Sequence, residues 1–298
     1  MLPLLIVLDG NNALATALRE EGGWQIAACE LRHFPDGETY LRVQDDCRDR
    51  DVVIQCGLQR PDQITLPLLF CIETLRELGA RRIGLIAPYL AYMRQDVRFH
   101  AGEAVTSRIF AKLLSAHVDW LLTVDPHLHR YHSLDEIYAI PSQVLSAMPL
   151  VAQWIAQHIE KPLLIGPDSE SAQWVAAVAR RAGVPHLVLE KKRRGDRDVQ
   201  VSVPSVEQWR THTPVLIDDI ISTGHTLLET IGHLRRAGLR APVCIGVHGL
   251  FAEDAFEKLQ QGGAARIITT NSVPHPSNAI DLSELLVTAV SQWLATSH

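Results

Sequence analysis

The segment VLIDDIISTGHT at residues 215–226 holds the densest group of side chains capable of chemistry. An apolar run leads into two adjacent carboxylates, and a hydroxyl-rich turn then leads into a helix predicted to begin at Thr226. Free N–H groups at a helix N-terminus, hydroxyls and a glycine together form a cradle for phosphate. The carboxylates suit hydroxyl groups or a metal ion. A sugar phosphate therefore fits both parts of the segment, because its phosphate suits the cradle and its hydroxyls suit the carboxylates. The alternative is an acidic strand end with Ser222 as the helix N-cap. The candidate residues are Asp218, Asp219, Ser222, Thr223, Gly224, His225 and Thr226.

A basic patch in the same half of the chain, EKKRRGDR at residues 190–197, has five cations in eight residues. Alone, such a patch is typical of a solvated hairpin tip. Close in sequence to a phosphate site, it is also a candidate clamp for a polyphosphate, because cations stabilise the charge that develops during phosphoryl transfer.

The segment VDPHLHRYH at residues 124–132 places one carboxylate and three histidines after an apolar run. These are Asp125, His127, His129 and His132. Such groups can ligate a metal ion, although loop histidines bonded to backbone are an alternative. A strand followed by His-x-His is also typical of metal-dependent amidohydrolases, but their eight-stranded barrel does not suit the repeat described below.

Three further segments carry weaker signals. GPDSES at 166–171 offers Asp168 as a magnesium ligand or a simple helix cap. FPDGE at 34–38 predicts a turn. The sequence Arg94-Gln95-Asp96 predicts only a polar loop.

Short apolar runs alternate with amphipathic segments along the chain, which predicts an α/β fold with strands buried on both faces of a parallel sheet. Strands are predicted at Leu4–Leu8, Asp51–Cys56, Arg82–Ala87, Trp120–Val124, Leu163–Ile165, Pro214–Ile217, Val243–Val247 and Arg266–Thr270. Helices are predicted at about Ile64–Leu78, Ala104–His117, Ala172–Ala182, Thr226–Ala237, Ala252–Gln261 and Leu282–Leu294.

The two halves of the chain repeat each other weakly. DVVIQCG, a helix and RIGLIAP match PVLIDDI, a helix and VCIGVHG, with offsets of 163 residues from Ile54 to Ile217 and 161 from Leu85 to Gly246. A strand pair around a turn precedes each unit. We therefore predict two domains, residues 1–145 and 146–298, with the boundary near Ile140–Met148.

The composition excludes several classes of protein. With 28 basic and 34 acidic residues and a net charge of −6, the chain lacks the basic excess typical of nucleic-acid binding. Five cysteines without C-x-x-C predict a reducing, cytoplasmic location. We also predict no signal peptide and no membrane span, because Asp9 ends the N-terminal apolar run and none approaches the roughly 18 residues that a span needs.

Taken in order, these six segments resemble the ribose-phosphate pyrophosphokinase family over about Leu31 to Ser272. FPDGE is similar to the family's hairpin that reaches the ATP of a neighbouring subunit, and PYLAYMRQD to a segment that also contacts ATP. Asp125-Pro126-His127 is similar to the Asp-Leu-His whose histidine serves the magnesium–ATP site. The ATP-binding residues that the resemblance implies are Phe34, Asp36, Glu38, Arg94, Gln95, Asp96 and His127.

The resemblance further implies that Lys191 and Arg193 are catalytic, and that His127 and Asp168 organise Mg²⁺ directly or through water. VLIDDIISTGHT is similar to the family's ribose-5-phosphate loop. The implied fold is two tandem type I phosphoribosyltransferase-like domains, each an open, mainly parallel sheet flanked by helices with a projecting hairpin. The implied reaction transfers the diphosphoryl group of ATP to ribose 5-phosphate. The implied assembly is a homodimer or a higher homo-oligomer with a shared ATP site.

The sequence departs from the family pattern in three places, of which the first two leave room for a catalytically weak or regulatory relative. Ser169-Glu170-Ser171 stands where the family commonly has small residues, and His225 replaces a usual glycine of the phosphate turn. RFHAGEAVT at 98–106 is more similar to archaeal members than to phosphate-activated, ADP-inhibited ones. The alternatives are a catalytically weak or regulatory relative, or a phosphoribosyltransferase that shares the phosphate loop.

Overall fold

The computed structural model describes residues 3–166, 172–193, 199–202 and 206–296. The chain forms two compact units. Unit 1 is Met1–Ser146 together with Leu282–His298, and unit 2 is Ala147–Asp281.

Unit 1 is built on a parallel sheet. Among its described residues the strand order is β2-β1-β5-β6-β7-β8, and each neighbouring pair is parallel. The central strands have buried side chains at nearly every position, which explains their unbroken apolar runs. The strands are β1 (Leu4–Val7), β2 (Gln25–Ile26), β3 (Cys29–His33), β4 (Thr39–Val43), β5 (Asp51–Gln55), β6 (Arg82–Ala87), β7 (Trp120–Val124) and β8 (Ser142–Leu145). The helices are α1 (Asn12–Gly22), α2 (Pro61–Glu77) and α3 (Thr106–Ser115), with a single 3₁₀ turn at Leu134–Glu136.

Unit 2 repeats this arrangement. The strand order in its described part is β10-β9-β13-β14-β15-β16, again with parallel neighbours. The strands are β9 (Pro162–Gly166), β10 (His186–Val188), β11 (Glu190–Arg193), β12 (Val199–Ser202), β13 (Thr213–Ile221), β14 (Val243–Gly249), β15 (Arg266–Thr270) and β16 (Asn278–Ile280). The helices are α4 (Met148–His158), α5 (Ala172–Ala182), α6 (Val206–Trp209), α7 (His225–Arg236) and α8 (Ala255–Gly262), and α9 (Ser283–Thr296) follows.

The predicted α/β fold and its internal repeat are confirmed. β1 corresponds to β9, β5 to β13 and β6 to β14, and a separate antiparallel pair, β3–β4 or β11–β12, stands in each unit. The sequence did not reveal the short strands β2, β8, β10 and β16, because they are two to four residues long and partly exposed. Strand β8 and the start of α4 occupy the predicted boundary segment Ile140–Met148.

The C-terminal helix departs from the predicted domain division. We predicted that residues 282–298 belong to the second domain, but α9 packs against α1 of unit 1, and the ring centroids of Trp293 and Trp120 lie 5.7 Å apart. Helix α4, which follows β8 along the chain, belongs to unit 2 and packs there against α5. The predicted division failed here because α9 packs against a helix near the other end of the chain, and a division into continuous segments cannot represent such a contact.

No helix in the ranges that the structure describes is long and apolar enough to cross a membrane.

A buried carboxylate fixes the start of β5. Asp51 accepts paired hydrogen bonds from Arg81 and Arg82, at 2.7–3.1 Å. Burial alone would raise the pKa of Asp51, but the bonds from Arg82 and Arg81 lower this pKa well below its ordinary value.

We therefore expect Asp51→Asn to lower the free energy of unfolding by about 1–2 kcal/mol at neutral pH, since both guanidinium groups remain partly in water. A carboxyl group with a lowered pKa stabilises the fold above its unfolded pKa and loses that contribution as pH falls. The difference between the variant and the wild type in urea unfolding should therefore shrink below about pH 4. A difference that is the same at pH 7 and pH 3 would contradict this role.

Candidate functional site

The acidic pair lies inside strand β13 rather than after it. The strand was predicted to end at Ile217, but its pairing with β14 continues through Asp218–Gly246 to Ile221–Gly249. Both carboxylates are half-buried. The Asp219 amide donates to Asp218 Oδ1 at 3.0 Å, and the Ile220 amide donates to Asp219 Oδ1 at 2.8 Å. The carboxylates are thus held close to the backbone at the carboxyl end of the sheet.

The turn that follows has the geometry of a phosphate cradle. Gly224 is the N-cap of α7, its φ is +68°, and it is not capped by a side chain. The Leu228 amide donates to the Gly224 carbonyl, so the three preceding amides of α7 have no partner within the helix. The reading of Ser222 as the N-cap is therefore wrong. In this article, residues 222–226 are called the phosphate loop.

Two details of the phosphate loop differ from the sequence prediction. Helix α7 begins at His225 rather than Thr226, and His225 is therefore an ordinary helical residue. The left-handed position belongs to Gly224, where an added Cβ would lie 3.2 Å from Leu259 of α8. His225 thus replaces glycine without a backbone cost, and its side chain is exposed at the N-terminus of α7, as is that of Thr223.

The basic patch forms the predicted hairpin. β11 and β12 pair antiparallel, with Lys191 opposite Val201 and Arg193 opposite Val199. The tip, residues 194–198, lies outside the described residues, and so do Asp168 and Ser169-Glu170-Ser171.

The FPDGE segment forms the turn of the β3–β4 hairpin, as predicted. The Phe34 amide donates to the Glu38 carbonyl at 2.8 Å, the Glu38 amide donates to Asp36 Oδ1 at 3.2 Å, and Gly37 has a φ of +93°. The Phe34 ring is 41% exposed, and the Arg32 guanidinium lies 4.8 Å from its centroid. The ring is therefore available for contact outside its own hairpin.

The three residues of the Arg94–Asp96 segment have different surroundings. Arg94 is exposed. Gln95 Oε1 accepts from the Thr106 hydroxyl at 3.2 Å. Asp96 is buried, and Arg130 donates to its Oδ1 at 2.7 Å. Sequence reasoning missed this ion pair, because Arg130 is 34 residues away and carries no local signal.

The histidine segment does not gather a metal cluster within the described part of the chain. The rings of His127 and His129 stack with their centroids 5.8 Å apart, and the amide of His132 donates to Glu136. Among the described residues, no three His, Cys, Asp or Glu side chains are placed to hold a metal ion. The four-residue metal site considered from the sequence is therefore wrong, and His127 remains half-buried after β7.

The predicted site residues divide between the two units. Unit 2 brings together the acidic pair and the phosphate loop on one strand–helix connection. Unit 1 holds the hairpin turn, the Arg94–Asp96 segment and His127. Sequence reasoning missed Leu259 as a support for the loop, although Leu259 lies in the helix predicted at Ala252–Gln261.

Comparison with known proteins agrees with these motifs. Residues 4–117 match the family described as the N-terminal domain of ribose phosphate pyrophosphokinase, and residues 133–284 match the phosphoribosyl transferase domain. The chain is 32% identical to the ribose-phosphate pyrophosphokinase of Methanobrevibacter smithii, over 94% of this chain and 97% of that protein. It is 33% identical to that of Methanopyrus kandleri, over 93% and 94% respectively. The crystal structure of phosphoribosylpyrophosphate synthetase from Mycobacterium smegmatis is similar over 100% of both chains, with 25% identity and a TM-score of 0.85.

Proposed function

Because the chain belongs to the ribose-phosphate pyrophosphokinase family, we propose that it transfers the diphosphoryl group of ATP to the 1-hydroxyl of ribose 5-phosphate. The products are phosphoribosyl pyrophosphate and AMP. The observation that carries this proposal is the phosphate loop beside two half-buried carboxylates. The five cysteines are all free, which supports a reducing, cytoplasmic location.

The phosphate loop suits the 5-phosphate of the sugar. The uncapped amides at the start of α7 and the positive end of the helix dipole attract a phosphate dianion. The hydroxyls of Ser222, Thr223 and Thr226 add donors around it. Asp218 and Asp219 accept hydrogen bonds from the ribose hydroxyls, which explains acidic groups next to an anion site.

The ATP side of the reaction is assigned to unit 1. The exposed ring of Phe34 offers a stacking surface for adenine, and Asp36 and Glu38 lie in the same turn. Arg94, Gln95 and Asp96 complete the proposed ATP-binding set, with Arg130 holding the carboxylate of Asp96 in place.

Magnesium fits this chain as a companion of ATP rather than as an ion in a protein cage. Mg²⁺ retains waters and commonly binds through one or two carboxylates plus substrate phosphates. The lack of a three-ligand cluster among the described residues agrees with that mode. His127, through water, and Asp168 are the proposed protein contacts, and the ion supplies neutralisation of phosphate charge.

Catalysis then consists of positioning and charge neutralisation. The sugar oxygen attacks the β-phosphorus of ATP in line, the bond from that phosphorus to the AMP oxygen breaks, and the hydroxyl proton passes to solvent or a nearby base. Protein groups have little covalent chemistry to perform in such a transfer. Lys191 and Arg193 on β11 stabilise the charge that moves toward the leaving oxygen.

The assembly proposed is a homodimer or a higher homo-oligomer in which the β3–β4 hairpin acts on the ATP of a neighbouring subunit. In support, β3 and β4 pair with each other, and none of their side chains is fully buried within the chain. Side chains that remain partly exposed in this way are suited to contact a second copy.

One assay separates the proposed activity from its alternatives. We expect the purified protein to release AMP from ATP and magnesium only when ribose 5-phosphate is present. A catalytically weak or regulatory relative would bind the substrates without turnover. A phosphoribosyltransferase would instead consume phosphoribosyl pyrophosphate in the presence of a nucleobase. Release of AMP at the same rate without the sugar would contradict the proposed reaction.

We further expect His225 to make sugar binding depend on pH. Its exposed imidazole at the start of α7 can donate to the 5-phosphate, most strongly when protonated. KM for ribose 5-phosphate should therefore rise with increasing pH, because a neutral imidazole is the weaker donor to a phosphate. His225→Asn should raise KM and remove that part of the dependence.

The matched control is His186→Asn, at an exposed histidine in β10. This control should keep the wild-type profile, including any contribution from titration of the substrate's own phosphate. If His225→Asn leaves both KM and its pH profile unchanged, then His225 is only a tolerated helix residue.

A further inference from the structure

The segment that follows β14 supports the entrance to the phosphate loop. The amides of Leu250 and Phe251 both donate to the Ile221 carbonyl at 3.0 Å, and the Ala252 amide donates to the Ser222 carbonyl at 3.1 Å. Ile221 and Ser222 directly precede the turn to α7. These three bonds therefore fix the direction in which the backbone enters the phosphate loop.

Phe251 holds this segment in an unusual backbone conformation. Its φ is +42°, a region that is disfavoured for bulky residues and persists only where the surroundings impose it. The side chain is 9% exposed. Its ring lies so close to the backbone of Gly249 that an added Cβ there would approach Phe251 Cε2 to 2.6 Å.

Two further rings complete an aromatic cluster around Phe251. The His275 ring centroid lies 4.3 Å from that of Phe251, and the Phe256 centroid lies 5.2 Å from Phe251 and 4.7 Å from His275. The Ser277 amide donates to His275 Nδ1 at 3.1 Å, which fixes the orientation of the imidazole. Burial lowers the pKa of His275, so the ring packs in its neutral form.

The internal repeat supplies a comparison within the same molecule. With the offset of 161 residues, Leu90 of unit 1 stands at the position of Phe251, and Tyr92 at that of Glu253. Tyr92 and Glu253 share a left-handed backbone, with φ values of +61° and +57°. Leu90, by contrast, is not among the described residues of positive φ. A left-handed residue at this particular position, Phe251 in place of Leu90, is thus a feature of the repeat that carries the phosphate loop.

We propose that Phe251 is a positioning residue for ribose 5-phosphate, whose ring, held between Gly249 and His275, fixes the backbone that enters the phosphate loop. The proposal rests on the function proposed above. It assigns the aromatic cluster a role in sugar binding without direct contact between its rings and the substrate.

The test is the kinetics of Phe251→Ala in the full chain. We expect KM for ribose 5-phosphate to rise about 10-fold or more, because misplacement of binding groups by a fraction of an ångström is costly. KM for ATP should change by less than about twofold, since its proposed binding residues lie in unit 1. Calorimetric titration with ribose 5-phosphate alone should show the same loss of affinity.

Variants of His275 and Leu239 distinguish a positioning role of Phe251 from a general loss of packing in the hydrophobic core. His275→Phe keeps an aromatic ring against Phe251 and should retain a KM near the wild-type value, whereas His275→Ala should raise it. Leu239→Ala removes a buried side chain of the same hydrophobic core. It should lower thermal stability without altering KM for the sugar.

An unchanged KM in Phe251→Ala, or an equal rise in Leu239→Ala, would overturn the proposal. If Phe251→Ala does not fold, Phe251→Leu and Gly249→Ala test the same ring, and both should raise KM for ribose 5-phosphate selectively. Failure of the wild-type enzyme to release AMP would instead overturn the proposed reaction. In that case titration with ribose 5-phosphate still decides the role of Phe251.

Discussion

Replacement of Lys191 by alanine is expected to lower kcat by roughly 10²–10⁴-fold, the range observed when a donor that stabilises transition-state charge is removed. The motive is a group of five cations between residues 191 and 197 of an acidic protein, three of which lie on strand β11. KM for ribose 5-phosphate should change much less, because the phosphate loop lies on a different strand–helix connection. Initial rates of AMP formation at saturating substrates measure the effect.

Glu190→Gln is the matched control for this variant. Glu190 is the first residue of the same strand and pairs with Ser202, so the substitution tests the hairpin without removing a cation. It should retain turnover close to that of the wild type. Near-wild-type turnover in Lys191→Ala would show that the hairpin does not act as a clamp on the phosphates.

The sheets could be predicted from the sequence because their central strands are buried on both faces. Runs such as DVVIQ and WLLTV have no polar alternation, and each forms a strand with every residue buried. The edge strands lack this signal: Gln25–Ile26 is exposed at both residues. The position of α9 depends on contact with α1, almost the full length of the chain away, and local pattern carries no information about such contacts.

The candidate site could be predicted only where its residues are adjacent in sequence. The phosphate loop and the FPDGE turn follow from local chemistry, since glycine, proline and hydroxyl residues each have a specific backbone preference. The start of α7 was misplaced by one residue because the phosphate-loop glycine and the following histidine could each end the turn. The supports from Arg130, Leu259 and Phe251 are tertiary contacts that no local pattern specifies.

The connection of unit 1 that corresponds in the repeat to the proposed phosphate site of unit 2 lacks the features of that site. With the offset of 163 residues, Gln55 and Cys56 of unit 1 replace the acidic pair of unit 2. Gln55 is fully buried, and its Nε2 donates to Asp9 Oδ1 and to the Asn11 carbonyl. Helix α2 begins at Pro61, which has no N–H to offer a phosphate. The same topology therefore carries the proposed phosphate loop in unit 2 and an internally bonded connection in unit 1.

The proposed sharing of the ATP site between subunits predicts a second large effect, the recovery of activity from two inactive proteins. A variant with Phe34→Ala and Glu38→Ala lacks the proposed hairpin contacts, and Lys191→Ala lacks the proposed catalytic cation. If the hairpin acts in the neighbouring subunit, a mixed dimer contains one site with neither defect and one site with both. Random exchange makes half of the dimers mixed, so the mixture should regain about one quarter of the wild-type activity.

The control for this experiment is a mixture of Lys191→Ala with Arg193→Ala. Both substitutions lie on strand β11, so each subunit supplies both positions to the same site. Every site in the mixed dimers therefore keeps one defect. That mixture should remain inactive. Subunit exchange can be followed independently by labelling one variant and measuring energy transfer to the other. If subunits exchange but the hairpin mixture stays inactive, each subunit's hairpin serves its own ATP. If the Lys191–Arg193 mixture regains activity, Lys191 and Arg193 of one subunit act in the sites of different subunits.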